Sequence, residues 1–133
     1  MKRFTVEHDK QYKVIKKCED AGIKVKTMFI IGNPEDTKDT IIQSIEYSKY
    51  LPSLYSQFSV FTPYPGTPVY NEFKDIITES KLENFNQYNL IFKHKNLSSK
   101  EITNLKSLAY FRFYFNFKKV LQILKYFIQS KFQ

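Results

Sequence analysis

Ile23-Lys24-Val25-Lys26-Thr27-Met28-Phe29-Ile30-Ile31 opens by alternating apolar and charged residues and closes as a continuous apolar run, and Gly32-Asn33-Pro34-Glu35-Asp36-Thr37 follows at once. Alternation marks a strand, and the apolar run predicts an end buried on both faces, as in a parallel sheet. Pro34 fixes its own φ and biases Asn33 toward extended geometry, so the strand stops in a turn, where Asp36 or Thr37 can cap a helix. That helix is predicted from about Lys38 to Leu51, with Ile41, Ile42 and Ile45 inward and Pro52 as its stop. Tyr55-Ser56-Gln57-Phe58-Ser59-Val60-Phe61-Thr62 alternates again, with Phe58, Val60 and Thr62 on one face. Strand, helix, strand in this order favours a right-handed crossover between parallel strands.

Working outward, Thr5 to Asp20 spaces Val6, Tyr12, Val14, Ile15 and Cys18 as a one-sided helix, and Ala21-Gly22 reads as its stop. Pro63-Tyr64-Pro65-Gly66-Thr67-Pro68 is too rich in proline for helix or sheet. A short helix is predicted over Val69 to Lys74 and an irregular connector over Asn84 to Asn89. Ser98 or Ser99, with Glu101 behind it, opens a last helical region. The expected division is 1–80 for the strand-bearing part, 81–97 for a connector and 98–133 for a helical, basic extension.

At 133 residues the chain holds one modest domain, and a full (β/α)₈ barrel, which needs about 250 residues, is excluded. The net charge of +8 is uneven: positions 102 to 133 hold 6 basic residues and no acid, whereas all 13 acids lie before them. Lys, Ile, Asn, Phe and Tyr are all abundant, so a compositional bias of the source genome accounts for part of this basicity. In the tail, Phe117, Val120, Leu121, Leu124, Phe127 and Ile128 share one helical stripe, with Lys118, Lys119, Gln122, Lys125 and Gln129 mostly elsewhere. Such a stripe is expected to pack on its own domain; contact with an anionic membrane or with nucleic acid is the alternative. The single cysteine, Cys18, closes no intramolecular disulfide and supplies neither a Cys₄ zinc site nor three cluster ligands, so no metal site is expected. No run reaches about 18 uncharged apolar residues and no apolar signal core follows the N-terminus, which predicts a soluble, cytoplasmic protein.

Ligand sites of α/β folds lie at the C-terminal ends of parallel strands, and both predicted ends carry special backbone residues. From the residues alone, two structural turns explain these segments well, because neither offers a nucleophile, a general base or a metal cluster. His8 in a polar segment and His94 between Lys93 and Lys95 read as solvated surface, and Cys18 as a small buried hydrophobe. Tyr64 either stacks on a ring or fills space beside its prolines.

Three segments taken together carry a resemblance: Ala21-Gly22-Ile23, then Met28 to Pro34 with Asp36-Thr37, then Phe61-Thr62-Pro63-Tyr64-Pro65-Gly66-Thr67-Pro68-Val69-Tyr70. Their order and spacing resemble the second half of a radical S-adenosylmethionine (radical SAM) enzyme core, in particular the cobalamin-binding-domain branch with the anaerobic magnesium-protoporphyrin cyclase-like proteins. There, a helix ending AGI leads to a strand ending GxPGET, and a later strand runs into TPYPGTPLY. Leu97 to Ile102 and Ala109 to Tyr114 are similar to that family's helices after the barrel. The resemblance implies an α/β fold, a partial (β/α) barrel of about two parallel strands followed by a helical C-terminal extension. It also implies that Ile31, Gly32, Asn33 and Pro34 lie near the adenosine of SAM, and that Thr62, Pro63, Tyr64, Gly66 and Thr67 shape the barrel mouth beside adenosine or substrate. Asp36, at the family's glutamate position, is expected to hold the turn and the helix start rather than a ligand.

The departures matter as much. The CxxxCxxC motif that binds the family's [4Fe-4S] cluster, to which SAM attaches, is absent, and so is a cobalamin-binding segment. Glu35 stands where the family has a second glycine, and a left-handed conformation there would cost about 1 to 2 kcal/mol, so the turn is expected to differ. The implied role is one wall of a SAM and substrate site for radical chemistry, inactive alone and completed by an N-terminal barrel half. A degenerate, non-catalytic binding module is the alternative, or a peripheral membrane or nucleic-acid binder acting through the basic tail.

Overall fold

The computed structural model describes residues 8–130, the last two as backbone only; Thr5 and Val6 of the predicted first helix lie outside them, as does the Gln129 side chain. Helix α1 (His8–Asp20) ends where Gly22 takes φ +83°, with Ile23 N–H donating to Cys18 O (2.9 Å) and Gly22 N–H to Glu19 O (3.0 Å). This is the Schellman stop that glycine permits. Strand β1 (Lys26–Ile31), helix α2 (Lys38–Tyr50) and strand β2 (Tyr55–Val60) then form the crossover, and β1 and β2 pair in parallel, Lys26 beside Tyr55 through Ile31 beside Val60. Thr37 caps α2 in a reciprocal capping box with Thr40.

Helix α3 (Pro68–Phe73) follows, with Thr67 as its cap and Pro68 in its first turn, and then helix α4 (Ser99–Tyr114), which opens on a Ser98–Glu101 capping box. Helix α5 (Phe117–Ser130) ends the described chain. Between α3 and α4 the connector is more ordered than its composition predicts. Ile77 and Phe92 form an antiparallel bridge, and Phe85, Ile91 and Phe92 make a second small core against Phe61, Tyr70 and Phe73.

Helices α2 and α4 cover one face of the sheet. Ile31, Ile41, Ile45, Phe58, Ile102 and Phe113 bury together there, so the extension shares the core of the strand-bearing part. The opposite face has no such cover: Met28 is 65% and Ile30 52% exposed, so the end of β1 is buried on one face and not on two. The apolar run reflects a second apolar surface that these residues present without covering it. This is the mixed α/β, open-sheet arrangement of a partial barrel with a helical extension.

At the other end of the strands Glu19 acts as a pin. One carboxylate oxygen accepts from Val25 N–H (2.8 Å) and Leu54 N–H (3.1 Å), while the other faces Lys24 at 3.5 Å, tying α1 to the starts of both strands.

Candidate functional site

The first lip of the sheet's C-terminal end is a tight turn. Gly32 takes φ +74°, and a Cβ built there would lie 3.1 Å from Ile102 Cδ1, so glycine serves both the backbone conformation and the close seat of α4. Asp36 N–H donates to Asn33 O (2.8 Å), closing a turn with Pro34 and Glu35 at its centre. No residue other than glycine has positive φ among the described residues, so Glu35 carries no left-handed strain. One Asp36 carboxylate oxygen accepts from Asn33 N–H (2.9 Å) and from Asn33 Nδ2 (3.1 Å), and the other lies 3.4 Å from the Thr40 hydroxyl. Asp36 therefore holds the turn against the start of α2.

His94 completes this lip, contrary to its expected place on the solvated surface. It is buried, its Nε2 lies 2.8 Å from Asn33 O, and its Nδ1 accepts from the backbone N–H of Asn96 and of Leu97, both at 3.1 Å. Two donors on Nδ1 leave the ring hydrogen on Nε2, which donates to Asn33 O. The flanking lysines suggested water, but the imidazole is the link between the turn after β1 and the approach to α4. His8 is exposed, with its ring 4.3 Å from that of Tyr47.

The second lip follows β2. Pro63 is fully buried, Thr67 Oγ1 donates to Tyr64 O (2.7 Å) and accepts from Tyr70 N–H (3.2 Å), and Gly66 takes φ +85° with open space around it. The Thr62 hydroxyl lies within hydrogen-bonding reach of Val60 O and Asn86 O. Val60 N–H donates to Gln87 O (2.9 Å), and the Ser59 hydroxyl to Gln87 Oε1 (2.8 Å).

On the face of the sheet away from the helices, reaching the second lip at Thr62 and Tyr64, lies an apolar groove of about 430 Å³. Met28, Ile30 and Phe61 form its apolar wall, and Ser59, Tyr64 and Gln87 bring polar groups to it. Of the predicted site residues, Thr62 and Tyr64 line the groove. Ile31 points into the core, Gly32, Asn33 and Pro34 form the turn behind one lip, and Pro63, Gly66 and Thr67 build the other. Gln87 was hidden in the connector; only its contact with β2 reveals it. Among the described residues no carboxylate, histidine, lysine or cysteine lines the groove; its polar groups are the Ser59, Thr62 and Tyr64 hydroxyls and the Gln87 amide.

Several known proteins are similar to this chain. The chain is 28% identical over 110 residues to an uncharacterized methyltransferase of Pyrococcus horikoshii, covering 81% of this chain and 24% of that protein. It is 30% identical over 87 residues to the bacteriochlorophyllide d C-8(2)-methyltransferase of Chlorobaculum tepidum (64% and 19%). It is also 30% identical over 114 residues to the anaerobic magnesium-protoporphyrin IX monomethyl ester cyclase of Cereibacter sphaeroides (85% and 18%). The chain thus spans about a fifth to a quarter of the length of the curated relatives it matches. No model of a protein family matches it. With the segments around Gly32 and Pro63, these likenesses support a distant radical SAM-like relationship.

The chemistry of the donor set separates two groups that such a relationship implies. A flat, polar-edged adenosine suits an apolar groove rimmed by Tyr64, Ser59 and Gln87. A [4Fe-4S] cluster does not fit these residues. It needs several thiolates, whereas this chain has one cysteine, on α1, and no cluster of three metal-binding side chains occurs among the described residues. No helix among them is long and apolar enough to cross a membrane.

Proposed function

We propose that the chain supplies one wall of a SAM and substrate site in a radical SAM enzyme, with the cluster held by residues outside this sequence. The groove on the open face of two parallel strands, reaching past the end of β2 at Phe61 to Tyr64, carries this reading, because (β/α) proteins bind their ligands at the C-terminal ends of such strands. Bound there, SAM would supply a 5′-deoxyadenosyl group for radical chemistry. Met28, Ile30 and Phe61 keep water from the bound adenosine, Tyr64 offers a ring face, and Asp36 and His94 hold the first lip in place. Cobalamin, where the full enzyme uses it, would sit outside these residues. The magnesium-protoporphyrin and bacteriochlorophyllide names of the relatives make a large tetrapyrrole one candidate substrate class.

The test combines this chain with a separately produced barrel half that carries a CxxxCxxC motif with its reconstituted cluster, and measures 5′-deoxyadenosine released from SAM under reducing conditions. The expected result is no release by the chain alone, release by the pair, and a clear loss on Tyr64→Ala. SAM cleavage by the chain alone contradicts the reading. A cooperatively melting monomer that ignores SAM, alone or in the pair, assigns the chain to the non-catalytic binding modules instead.

A further inference from the structure

Helix α5 turns a mixed side to the domain. Lys119, only 3% exposed, donates to Leu51 O (3.0 Å) and Ser53 O and sits 4.8 Å over the Phe113 ring, Gln122 Nε2 donates to Pro52 O (3.2 Å), and Ile123 and Tyr126 are half-buried beside them. These acceptors are the carbonyls at and just beyond the C-terminal end of α2, which the helix itself cannot satisfy. Supplying their donors fixes the rotation of α5, and the apolar stripe then lies on the far side. Phe117 is 75% exposed, Leu124 52%, and Val120, Leu121 and Ile128 are exposed with them. The stripe predicted to pack on its own domain therefore faces away from it.

We propose that this stripe docks the chain flat onto an anionic lipid surface. Lys118 and Lys125, seven residues apart and both exposed, flank one border of the stripe, and no acid occurs from position 102 to 133. The nearest carboxylates, Glu19 and Asp20 on α1, are taken by Val25 and Leu54 N–H and by Lys16. A second copy of the helix laid on the stripe would set lysine beside lysine with no counter-charge, whereas anionic headgroups neutralise the lysines while acyl chains receive Phe117, Leu121 and Leu124. With 14 residues α5 is about 21 Å long, enough to lie in the interface and too short to span the bilayer.

The experiment sediments the 133-residue chain with phosphatidylcholine vesicles, with or without phosphatidylglycerol. Partitioning is expected to be about tenfold stronger on the anionic vesicles. Leu121→Glu with Leu124→Glu should cost about tenfold on those vesicles, and Lys118→Glu with Lys125→Glu should abolish the preference for them. All four positions are exposed, so circular dichroism should show the helices retained in both variants. Three outcomes overturn the proposal: no sedimentation with anionic vesicles, equal sedimentation with both lipids, or a chain that dimerises in the ultracentrifuge and becomes monomeric on Leu124→Glu.

Discussion

The Tyr110 hydroxyl accepts a hydrogen bond from Phe58 N–H at 3.2 Å and donates to Phe58 O at 3.3 Å, so one side chain of α4 satisfies both outward backbone groups of a β2 residue. One helical turn on, Tyr114 does the same for Ser56, at 3.2 and 3.0 Å. Gln87 O and the Thr62 hydroxyl serve Val60 N–H and O beyond them. The outer edge of β2 is thereby closed from Ser56 to Val60, and any further strand joins the sheet along β1. An incomplete barrel leaves unpaired strand edges, and here the pairing surface is one-sided.

Removing either hydroxyl leaves two backbone groups of a half-covered strand without a protein partner. Tyr110→Phe and Tyr114→Phe should each lower stability by about 1 to 3 kcal/mol, read from urea midpoints, and together should raise light scattering as the β2 edge opens. Unchanged midpoints would show that water replaces the hydroxyls at no cost.

The two strands, their crossover and the helix starts near Thr37 and Ser98 were legible because each rests on local signals: alternation, Pro34 and Pro52, and polar residues before helical runs, which left Asp36 or Thr37 and Ser98 or Ser99 as caps. What stayed hidden depends on distant backbone. His94 is set by Asn33 O, 61 positions away, and the orientation of α5 by carbonyls at the end of α2. Periodicity gives a stripe but not which side of the helix faces the core, and here the hydrogen-bonding needs of Leu51, Pro52 and Ser53 decide it. Proline and glycine marked the turns after both strands, whereas Gln87, from a connector without pattern, gave no signal that it would meet β2.

Gly32→Ala sets two costs against each other. The left-handed φ costs about 1 to 2 kcal/mol, and the new Cβ, 3.1 Å from Ile102 Cδ1, adds an overpacking cost of about 1 kcal/mol or more. Ile102→Val deletes that Cδ1. In a double-mutant cycle by denaturation, Gly32→Ala should therefore cost less in the valine background, the remainder being the backbone component. Equal costs in both backgrounds would remove the packing role of Gly32.

His94→Ala strips the acceptor from Asn96 and Leu97 N–H and one donor from Asn33 O at one stroke. A loss of about 1 to 3 kcal/mol is expected, with faster hydrogen exchange at the Asn96 and Leu97 amides. His94→Asn places an oxygen near the Nδ1 position and should restore protection at those two amides without restoring the imidazole's bond to Asn33 O. Protection unchanged in the alanine variant would return His94 to the solvated surface.

Lys119 makes stability depend on alkaline pH. Burial lowers its pKa to about 8, only partly opposed by Glu19, whereas the unfolded chain keeps the ordinary lysine value of 10.5. Below about pH 8 both states carry the proton, and the desolvation cost is borne in full. Between about pH 8 and 10.5 the unfolded chain binds more protons than the folded one, so stability rises with pH across that window. Lys119→Met removes the titration along with the bonds to Leu51 and Ser53. Urea unfolding of both proteins at about pH 7 and about pH 9.5 should show the gap between wild type and variant widening in favour of wild type at the higher pH. Other lysines and tyrosines titrate in both proteins and cancel in the difference. A constant gap would mean that water reaches the Lys119 ammonium and that its seat against α2 is open rather than dry.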